Sequence, residues 1–513
     1  MARIVVAGAG AIGASLAFHL ASLGARDVVL ADKGRVAGGA TGKAMGGVRQ
    51  QFSTAAEVRL AQASIRFFEE LGPPLFDQVG YLFVATTEEG LAALDERRAL
   101  QEELGVPVEQ VDPSYVEGLR TDDVLGAVVC PTDGTADPPA VTRELVRRAT
   151  KLGVQVREGC DATALEADVL VIACGPWSAE VGAARGVKLP VRPLCRQLLA
   201  TTELDLSEEM PMVLEAETGF HFRRRGERLV LAMVDPEPRW GFDEVVDETL
   251  FDDRLARLHH RFPAAAEATI ADAWAGLYDM TPDAHPILGE VADGIYAACG
   301  FSGHGFMQSP AVGRALAEEI LGESPSLDLS PYRLSRFEDD ASIPEELVLS
   351  LELLADLGVL ADQLAHLGRL VVGAGEGDQA EALARRVRDP VVAIRKLGQL
   401  RPQLVEVRHR VREVPEQQSN CAHADASSPE CRPVISDGRT GKPERPEVGV
   451  ASEASVVRNA RSRQSRHQLL DLAQHVGLLV PEVVQVGVQR RPQQAQLVLV
   501  QLQRVVQNGP LGS

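Results

Sequence analysis

Aromatic side chains are absent from the last third of this chain, beyond Phe337. The sequence contains 14 Phe, 5 Tyr and 3 Trp residues, and every one of them lies at or before Phe337. Lysine is also rare beyond that point, where only Lys396 and Lys442 occur. Because aromatic side chains dominate apolar burial in folded domains, we predict that residues 341–513 are a disordered or weakly folded tail without chemistry. A partner-binding extension is the alternative interpretation.

Paired cysteines, long apolar runs and an excess of positive charge are also absent. The seven cysteines show no metal-binding or redox spacing, so we predict reduced thiols and no metal site. No apolar run approaches the roughly 18 residues that a membrane span needs, and an apolar strand pattern follows Met1 at once, so we expect a cytoplasmic protein without a span. The formal net charge of −21 argues against nucleic acid as a partner.

A glycine-rich turn near the start of the chain indicates a dinucleotide. A buried-strand pattern at residues 3–7 is followed by Gly8, Gly10 and Gly13, then by a helical pattern at residues 14–23 and a second apolar run that ends in Asp32. In such a unit the first glycine permits a tight turn, the second lets the backbone approach a pyrophosphate, and the third lets helix and strand pack closely. The helix N-terminus attracts the phosphates, and the acidic residue accepts hydrogen bonds from a ribose.

Segments later in the sequence indicate which dinucleotide the chain binds. Residues 274–283 read Trp-Ala-Gly-Leu-Tyr-Asp-Met-Thr-Pro-Asp, and residues 300–307 read Gly-Phe-Ser-Gly-His-Gly-Phe-Met. Supporting stretches lie at residues 46–52, 80–87, 131–138 and 173–178. Together these segments resemble the FAD-dependent amine and amino-acid oxidoreductases of the D-amino-acid oxidase superfamily. Within that superfamily the chain resembles sarcosine oxidase beta subunits and dye-linked proline dehydrogenase beta subunits, and NAD-dependent families do not account for residues 300–307.

The resemblance implies an α/β fold in which two parts are interleaved. A Rossmann-like FAD-binding domain would use residues 1–75, 135–185 and 275–340. A β-sheet-rich substrate domain of α+β character would use residues 76–134 and 186–274. Short strand patterns recur in the second part, but periodicity alone does not show the interleaving.

The resemblance also places a set of residues at the cofactor. They come from the glycine-rich turn, the acidic end of the second strand, two loops and the segment that leads into the last helix, which we predict to begin at Pro310. They are Gly8, Gly10, Ala11, Ile12, Gly13, Asp32, Lys33, Ala40, Thr41, Gly46, Gly47, Gly175, Trp177, Gly303, Gly305, Phe306 and Met307. Sarcosine oxidases with covalent flavin carry a cysteine where this chain has Gly276, so we expect noncovalent FAD.

Three residues are candidates for catalysis. Arg49 matches a carboxylate-binding arginine of sarcosine oxidases, and a guanidinium fork binds both oxygens of a carboxylate; the alternative is an arginine that saturates loop carbonyls. His304 lies between two glycines and would contact flavin or substrate, unless backbone groups in a tight turn satisfy it. Tyr278 aligns with an active-site tyrosine, or is a core aromatic. His221 and Arg223 alternate on one strand face, which points to the flavin or to solvent.

Two departures from the family pattern narrow this interpretation. Met307 stands where sarcosine oxidases carry a lysine, which removes one carboxylate contact and favours the proline dehydrogenase side. After Gly159, family members insert a β-meander that helps to cover the adenine side of FAD. Here the chain leads directly into the strand pattern at residues 169–172, and two further strands would need on the order of a dozen more residues.

We therefore predict an FAD-dependent oxidoreductase that oxidises the amine of a small amino acid by hydride transfer to flavin. Sarcosine, proline, glycine and N-methyl amino acids all fit as substrates, and the electrons would pass to oxygen or to an electron-transfer protein. A 2-hydroxy acid or polyol phosphate oxidoreductase on the same scaffold is one alternative. A non-catalytic FAD-binding subunit of a hetero-oligomer is the other.

Overall fold

The computed structural model describes residues 2–337, so the prediction for residues 341–513 lies outside the described residues. The described α-helices are α1 Ala11–Ser22, α2 Ala55–Leu71, α3 Glu88–Glu103, α4 Pro138–Lys151, α5 Ser178–Ala183, α6 Phe251–Arg261 and α7 Gly305–Ile320. The strands are β1 Arg3–Ala7, β2 Asp27–Ala31, β3 Gly47–Val48, β4 Phe76–Asp77, β5 Tyr81–Ala85, β6 Glu109–Val111, β7 Gly126–Cys130, β8 Gly134–Ala136, β9 Gln155–Arg157, β10 Val169–Ile172, β11 Arg192–Thr201, β12 Met212–Glu215, β13 His221–Arg225, β14 Arg228–Ala232, β15 Arg239–Trp240, β16 Ile270–Met280, β17 Ile287–Ala292 and β18 Ile295–Cys299.

The glycine-rich turn follows strand β1 of a six-stranded sheet. Its strand order is β17-β18-β10-β1-β2-β9, and every neighbouring pair is parallel except β17 with β18. Strand β1 is central and buried, as its continuous apolar sequence predicts for a parallel strand covered on both faces. Helices α1 and α7 pack together on one side, where Leu16, Leu20, Val312 and Leu316 share a core. This is the Rossmann-like part of the predicted α/β fold.

A nine-stranded sheet forms the second layer. Strands β15-β11-β14-β13-β12-β5-β7-β6 follow one another, and β16 pairs with β11 along most of its length. Phe220, Phe222 and Phe262 pack into the core beneath it, together with Leu258 of α6. The observed architecture therefore confirms the predicted fold class, a Rossmann-like sheet combined with a β-rich α+β part.

A small three-stranded sheet, β3-β8-β4, anchors the loop that carries Arg49. Gly47 pairs with Thr135, and Phe76 pairs with Ala136 on the other edge of β8. Residues 131–138, quoted above as part of the family pattern, thus run directly alongside residues 46–49.

The start of α7 differs from the sequence prediction, which placed the helix from Pro310. The helix begins at Gly305 and contains Pro310 in its interior. Proline lacks the N–H that would bond the carbonyl of Phe306, and the hydroxyl of Ser309 donates to that carbonyl at 2.9 Å instead. The Gly-Phe-Met segment is therefore the first turn of a helix rather than a loop.

The connection between β9 and β10 is short, as predicted. Residues 158–168 contain one 3-10 turn, Ala162–Ala164, and no strand. The backbone amides of Gly159 and Cys160 donate to the carbonyls of Gly34 and Asp32, at 3.0 and 2.8 Å. This segment therefore packs on the loop after β2 and adds no strand between β9 and β10.

The five cysteines among the described residues are all free thiols. Cys421 and Cys431 lie outside the described residues. No helix within residues 2–337 is long and apolar enough to cross a membrane, and these residues contain no cluster of His, Cys, Asp or Glu suited to a metal ion.

Candidate flavin and substrate site

The glycines of the first turn are required to different degrees. Gly8 has φ +103°, and a Cβ there would lie 2.2 Å from the carbonyl oxygen of Ala173. A Cβ on Gly13 would lie 1.9 Å from the carbonyl oxygen of Gly8. A Cβ on Gly10 would meet only the hydroxyl of Thr41, at 3.1 Å. Gly8 and Gly13 are thus dictated by packing, whereas the space beside Gly10 is open enough for a ligand.

Helix α1 presents its N-terminus at this turn. Its first intrahelical bond runs from the amide of Ala14 to the carbonyl of Gly10, at 2.9 Å, so the amides of Ala11, Ile12 and Gly13 have no intrahelical acceptor. The Thr41 hydroxyl accepts the bond from Ala11 at 3.0 Å. A helix N-terminus whose Ile12 and Gly13 amides have no intrahelical acceptor suits a pyrophosphate.

Asp32 lies at the end of β2 and organises the loops on either side. Its Oδ2 accepts the amide of Ala9 at 2.7 Å, and its Oδ1 accepts the amide of Gly34 at 2.7 Å. Each carboxylate oxygen has a second lone pair, so a ribose diol can still bind. The neighbouring Lys33 is largely exposed and pairs with Asp161 at 3.2 Å, so its side chain turns to the surface rather than into the turn.

The predicted flavin loops lie against the nine-stranded sheet. Ala40 and Thr41 belong to the 3-10 helix Ala40–Lys43. Gly46 has φ +85°, and its missing Cβ would lie 2.4 Å from the carbonyl oxygen of Ala136. A Cβ on Gly47 would meet Met212 Sδ at 2.8 Å. These glycines therefore allow the loop to pack tightly onto both small and large sheets.

Gly175 and Trp177 form a separate turn after β10. Gly175 has φ +50° and lies in open space, and Trp177 is 39% exposed. The Trp177 ring stacks on Phe242 with 5.9 Å between centroids. The contact joins the Rossmann-like part to a loop of the β-rich part.

Arg49 is a buried cation between two aromatic rings. Its side chain is 5% exposed, and its Cζ lies 4.1 Å from the centroid of Phe52 and 5.9 Å from that of Phe83. Nη1 donates to the carbonyl of Gln51. No carboxylate among residues 2–337 forms an ion pair with it, although a buried charge is costly without a partner. The loop-carbonyl alternative thus accounts for one N–H of the guanidinium and leaves its charge uncompensated.

His304 lies beside Arg49 and is also buried. Its Nε2 is 3.4 Å from Arg49 Nη2, and its ring meets Phe52 edge-on at 5.0 Å. Nδ1 is buried and finds no hydrogen-bond partner within residues 2–337. Burial, together with the charge of Arg49, holds the pKa of His304 well below its usual value of 6.5. The imidazole is therefore neutral at physiological pH, and backbone groups do not satisfy its ring nitrogens.

Tyr278 reaches the same region from β16. A Cβ on Gly303, at φ +96°, would lie 2.5 Å from the Tyr278 ring, so the glycine lets the loop before α7 close over the tyrosine. Burial is the largest influence on the Tyr278 phenol and raises its pKa, with Arg196 and Arg49 acting in the opposite direction. The phenol is thus a neutral donor, and the structure brings it close to both Arg49 and His304.

The first turn of α7 supplies the last predicted residues. Phe306 packs edge-on against Phe68 at 5.4 Å, and Met307 packs against the cores around Phe52 and Phe68. A Cβ on Gly305 would lie 3.1 Å from Phe301. These side chains are used in packing, which leaves the backbone amides of the turn as the groups that can face a ligand.

His221 and Arg223 lie on one face of β13, as their spacing predicts. Arg223 is 4% exposed, its Nη2 donates to the carbonyl of Ala136 at 3.2 Å, and its Nε is buried without a partner in the described chain. Burial lowers the pKa of Arg223 to about 10. Burial also lowers the pKa of His221, and the charge of Arg49 contributes to the shift. The face is therefore directed inward rather than to solvent.

Sequence reasoning missed two residues of this site. Phe52 supplies the ring that contacts both Arg49 and His304, and Asp133 is a fully buried carboxylate bonded to the residues after Arg49. Both belong to stretches that carry the family resemblance. An acidic residue inside an otherwise apolar strand–turn pattern was the available signal for Asp133.

Comparison with known proteins decides the family. The family model described as DAO, FAD dependent oxidoreductase, matches residues 3–319. The chain belongs to this family. The resemblance drawn from the motifs is thus confirmed, and with it FAD as the cofactor and oxidoreduction as the class of activity.

Individual relatives agree with this assignment at low identity. Human mitochondrial sarcosine dehydrogenase is 26% identical over 380 residues, which span 66% of this chain but only 41% of the relative. FAD-dependent oxidoreductase domain-containing protein 1 of Bos taurus is 29% identical and is covered over 87% of its length, with 67% of this chain. The L-proline dehydrogenase structure from P. horikoshii aligns with a TM-score of 0.62 at 26% identity, covering 67% of this chain and 99% of that chain.

Proposed function

We propose that this chain binds FAD noncovalently and oxidises a small amino acid at the carbon that bears its nitrogen. The turn at Gly8 to Gly13, the N-terminus of α1 and the Asp32 carboxylate together fit the pyrophosphate and ribose of a dinucleotide. Gly276 offers no thiol for a covalent bond. We further propose that the two predicted domains have separate roles. The domain with the six-stranded sheet binds FAD, and the domain with the nine-stranded sheet faces the substrate.

The observation that carries the substrate class is the uncompensated charge of Arg49. A guanidinium buried between Phe52 and Phe83, with no ion pair in the described chain, is an incomplete site. An amino-acid carboxylate would complete it, because two parallel charge-assisted hydrogen bonds match the guanidinium fork. The surrounding rings exclude water, which strengthens the attraction.

The other site residues prepare the substrate for oxidation. Bound FAD supplies the two-electron acceptor for the hydride that leaves the substrate carbon. His304 stays neutral, so it does not repel the guanidinium of Arg49 beside it. Its ring nitrogen can therefore form a hydrogen bond with the ligand. Tyr278 remains a protonated phenol and can donate a hydrogen bond. Together they fix the orientation of the substrate while the carboxylate is held.

A 2-hydroxy acid is the second candidate substrate, because Arg49 would hold its carboxylate in the same way. Oxygen or an electron-transfer protein is the proposed acceptor, and a role as one subunit of a hetero-oligomer stays a proposal, as does the cytoplasmic location. The short β9–β10 connection favours looser binding of the adenine end of FAD. A non-catalytic flavoprotein is therefore the third candidate.

Substitution of Arg49 tests the carboxylate contact. Loss of a bidentate charge-assisted contact costs roughly 1.5–3 kcal/mol, so Arg49→Ala should raise the half-saturating substrate concentration in anaerobic flavin reduction by about ten- to a hundredfold or more. Arg49→Lys should restore part of the loss, since lysine has no fork. Arg192→Ala is the matched control, because Arg192 lies 4.1 Å over Trp240 in the same geometry but on the surface. An unchanged concentration dependence in Arg49→Ala would remove the role.

A further inference from the structure

We propose that Asp133 is the positioning residue for Arg49: its carboxylate fixes the Gln50–Gln51 segment, and that segment holds the guanidinium in place for the substrate carboxylate. This inference rests on the proposed role of Arg49. Asp133 does not touch the guanidinium itself, so the effect passes through the two glutamines. The ligand class at the site remains a carboxylate.

The Asp133 carboxylate receives its bonds from both glutamines. Oδ1 accepts the backbone amide of Gln50 at 3.0 Å and its side-chain amide at 3.0 Å. Oδ2 accepts the side-chain amide of Gln51 at 3.2 Å. Asp133 is 0% exposed, and Gln50 and Gln51 are 4% and 3% exposed. A carboxylate that accepts three bonds in a dry interior fixes its donors firmly.

Gln51 connects this carboxylate to Arg49. Its side-chain amide also donates to the carbonyl of Tyr81 at 2.9 Å, which ties the residue to β5. Its own carbonyl accepts the bond from Arg49 Nη1. A rotation of the Gln51 peptide would therefore move the carbonyl that accepts the bond from Arg49 Nη1, and the guanidinium would no longer be held in its orientation.

The Asp133 carboxylate is buried and is bonded by the backbone and side-chain amides of the segment after Arg49. No lysine, arginine or histidine among residues 2–337 forms an ion pair with it, whereas Asp283 pairs with Arg336 at 2.7 Å. Burial raises the pKa of Asp133 to about 6, although the bonds from Gln50 and Gln51 lower it. A buried acid without a cation is costly, and the three hydrogen bonds from Gln50 and Gln51 offset that cost while they hold the segment in place.

Asp133→Asn tests the proposal, since asparagine keeps the shape but replaces one acceptor oxygen with a donor that faces the donor groups of the glutamines. The probe is acetate, titrated into the FAD-loaded protein and followed by the change in flavin absorbance, with acetamide as the uncharged analogue. One or two weakened hydrogen bonds should lower acetate affinity by about five- to tenfold and should also lower the melting temperature, while acetamide binding and FAD affinity change little.

The Arg49→Ala background makes the test specific. If Asp133 acts through Arg49, Asp133→Asn should have no further effect on acetate affinity once Arg49 is alanine. Asp112→Asn is the control, because Asp112 also accepts a backbone amide, that of Ser114 at 2.9 Å, but at an exposed site. If Asp133→Asn fails to fold, Gln51→Met removes the donor to Oδ2 and should weaken acetate in the same direction.

The outcomes separate the two proposals. An Arg49→Ala protein that binds acetate as well as wild type would overturn the proposed function. An Arg49→Ala protein that loses acetate, beside an Asp133→Asn protein that binds it normally or loses acetate and acetamide equally, would overturn the positioning role alone. Additive losses in the double variant would also overturn it.

Discussion

Gly10 and Gly13 belong to one motif, but glycine is needed at the two positions for different physical reasons. The missing Cβ of Gly13 would overlap the carbonyl oxygen of Gly8 at 1.9 Å, whereas that of Gly10 would lie 3.1 Å from a movable hydroxyl. Glycine at position 13 is therefore a condition for the fold. The space beside Gly10 is not needed for packing within the protein, and we expect a bound phosphate to use it.

These two glycines should therefore separate stability from cofactor binding. Gly10→Ala should weaken FAD binding while the melting temperature of the cofactor-free protein stays nearly constant. Gly13→Ala should destabilise the cofactor-free protein itself by about 1–3 kcal/mol through overpacking. Thermal melts without FAD and an FAD titration check both. Equal destabilisation by the two variants would contradict the assignment of Gly10 to the ligand.

His304 should stay neutral through the physiological pH range. Because burial and Arg49 hold its pKa well below 6.5, the rate of anaerobic flavin reduction between about pH 6 and 8 should show no step that belongs to this residue. His304→Gln should therefore reduce substrate affinity without changing the shape of the pH profile. A step near pH 6.5 that disappears in His304→Gln would contradict a neutral imidazole.

At the scale of single elements, α7 depends on a side-chain bond that compensates for Pro310. The helix starts with the Gly-Phe-Met turn that faces the candidate site, and Pro310 cannot donate to the carbonyl of Phe306. The hydroxyl of Ser309 makes that bond at 2.9 Å in the interior. Its loss would loosen the turn at the site as well as the helix.

Ser309→Ala should lower the free energy of unfolding by about 0.5–1.5 kcal/mol and weaken FAD binding. Ser22→Ala is a matched control, because the Ser22 hydroxyl also donates three residues back, to His19 at 3.0 Å, but at an exposed helix end. Chemical denaturation of both variants provides the measurement. If Ser22→Ala is as destabilising as Ser309→Ala, the buried bond has no special role.

Elements with a strong local signal were predictable, and those set by tertiary contact were not. The alternation of apolar strand, glycine turn and helix at residues 3–23 specifies its own structure, although the helix begins at Ala11, earlier than the apolar pattern indicated. The start of α7 was misplaced because proline is a helix breaker by propensity, and no local pattern reveals that a serine side chain replaces the missing donor.

At the scale of the whole molecule, the site is assembled from segments far apart in sequence. Arg49 comes from the loop after β3, Tyr278 from β16 and His304 from the turn before α7. The family resemblance named all three, since each lies in a recognisable motif. It did not reveal Phe52 or Asp133 as their neighbours, because contacts across about 80 to 250 residues depend on packing that no local periodicity encodes.

The chain beyond about residue 345 should be dispensable for the cofactor. All candidate flavin residues lie between Gly8 and Met307, and the family match ends at residue 319. A protein that ends near residue 345 should retain its yellow colour and melt cooperatively. Absorbance spectra and thermal melts of the full and shortened chains provide the comparison. Loss of both colour and cooperative melting would show that residues after 345 are needed by the core.

The central claim is that the flavin of this protein accepts electrons from an amino acid held by Arg49. The most direct measurement is anaerobic mixing of the FAD-loaded protein with sarcosine, proline, glycine and their amides, followed by the flavin absorbance. The account predicts that at least one amino acid bleaches the flavin at low concentration and that its amide requires about ten- to a hundredfold more. A flavin that no amino acid bleaches, or that amides bleach equally well, would contradict it.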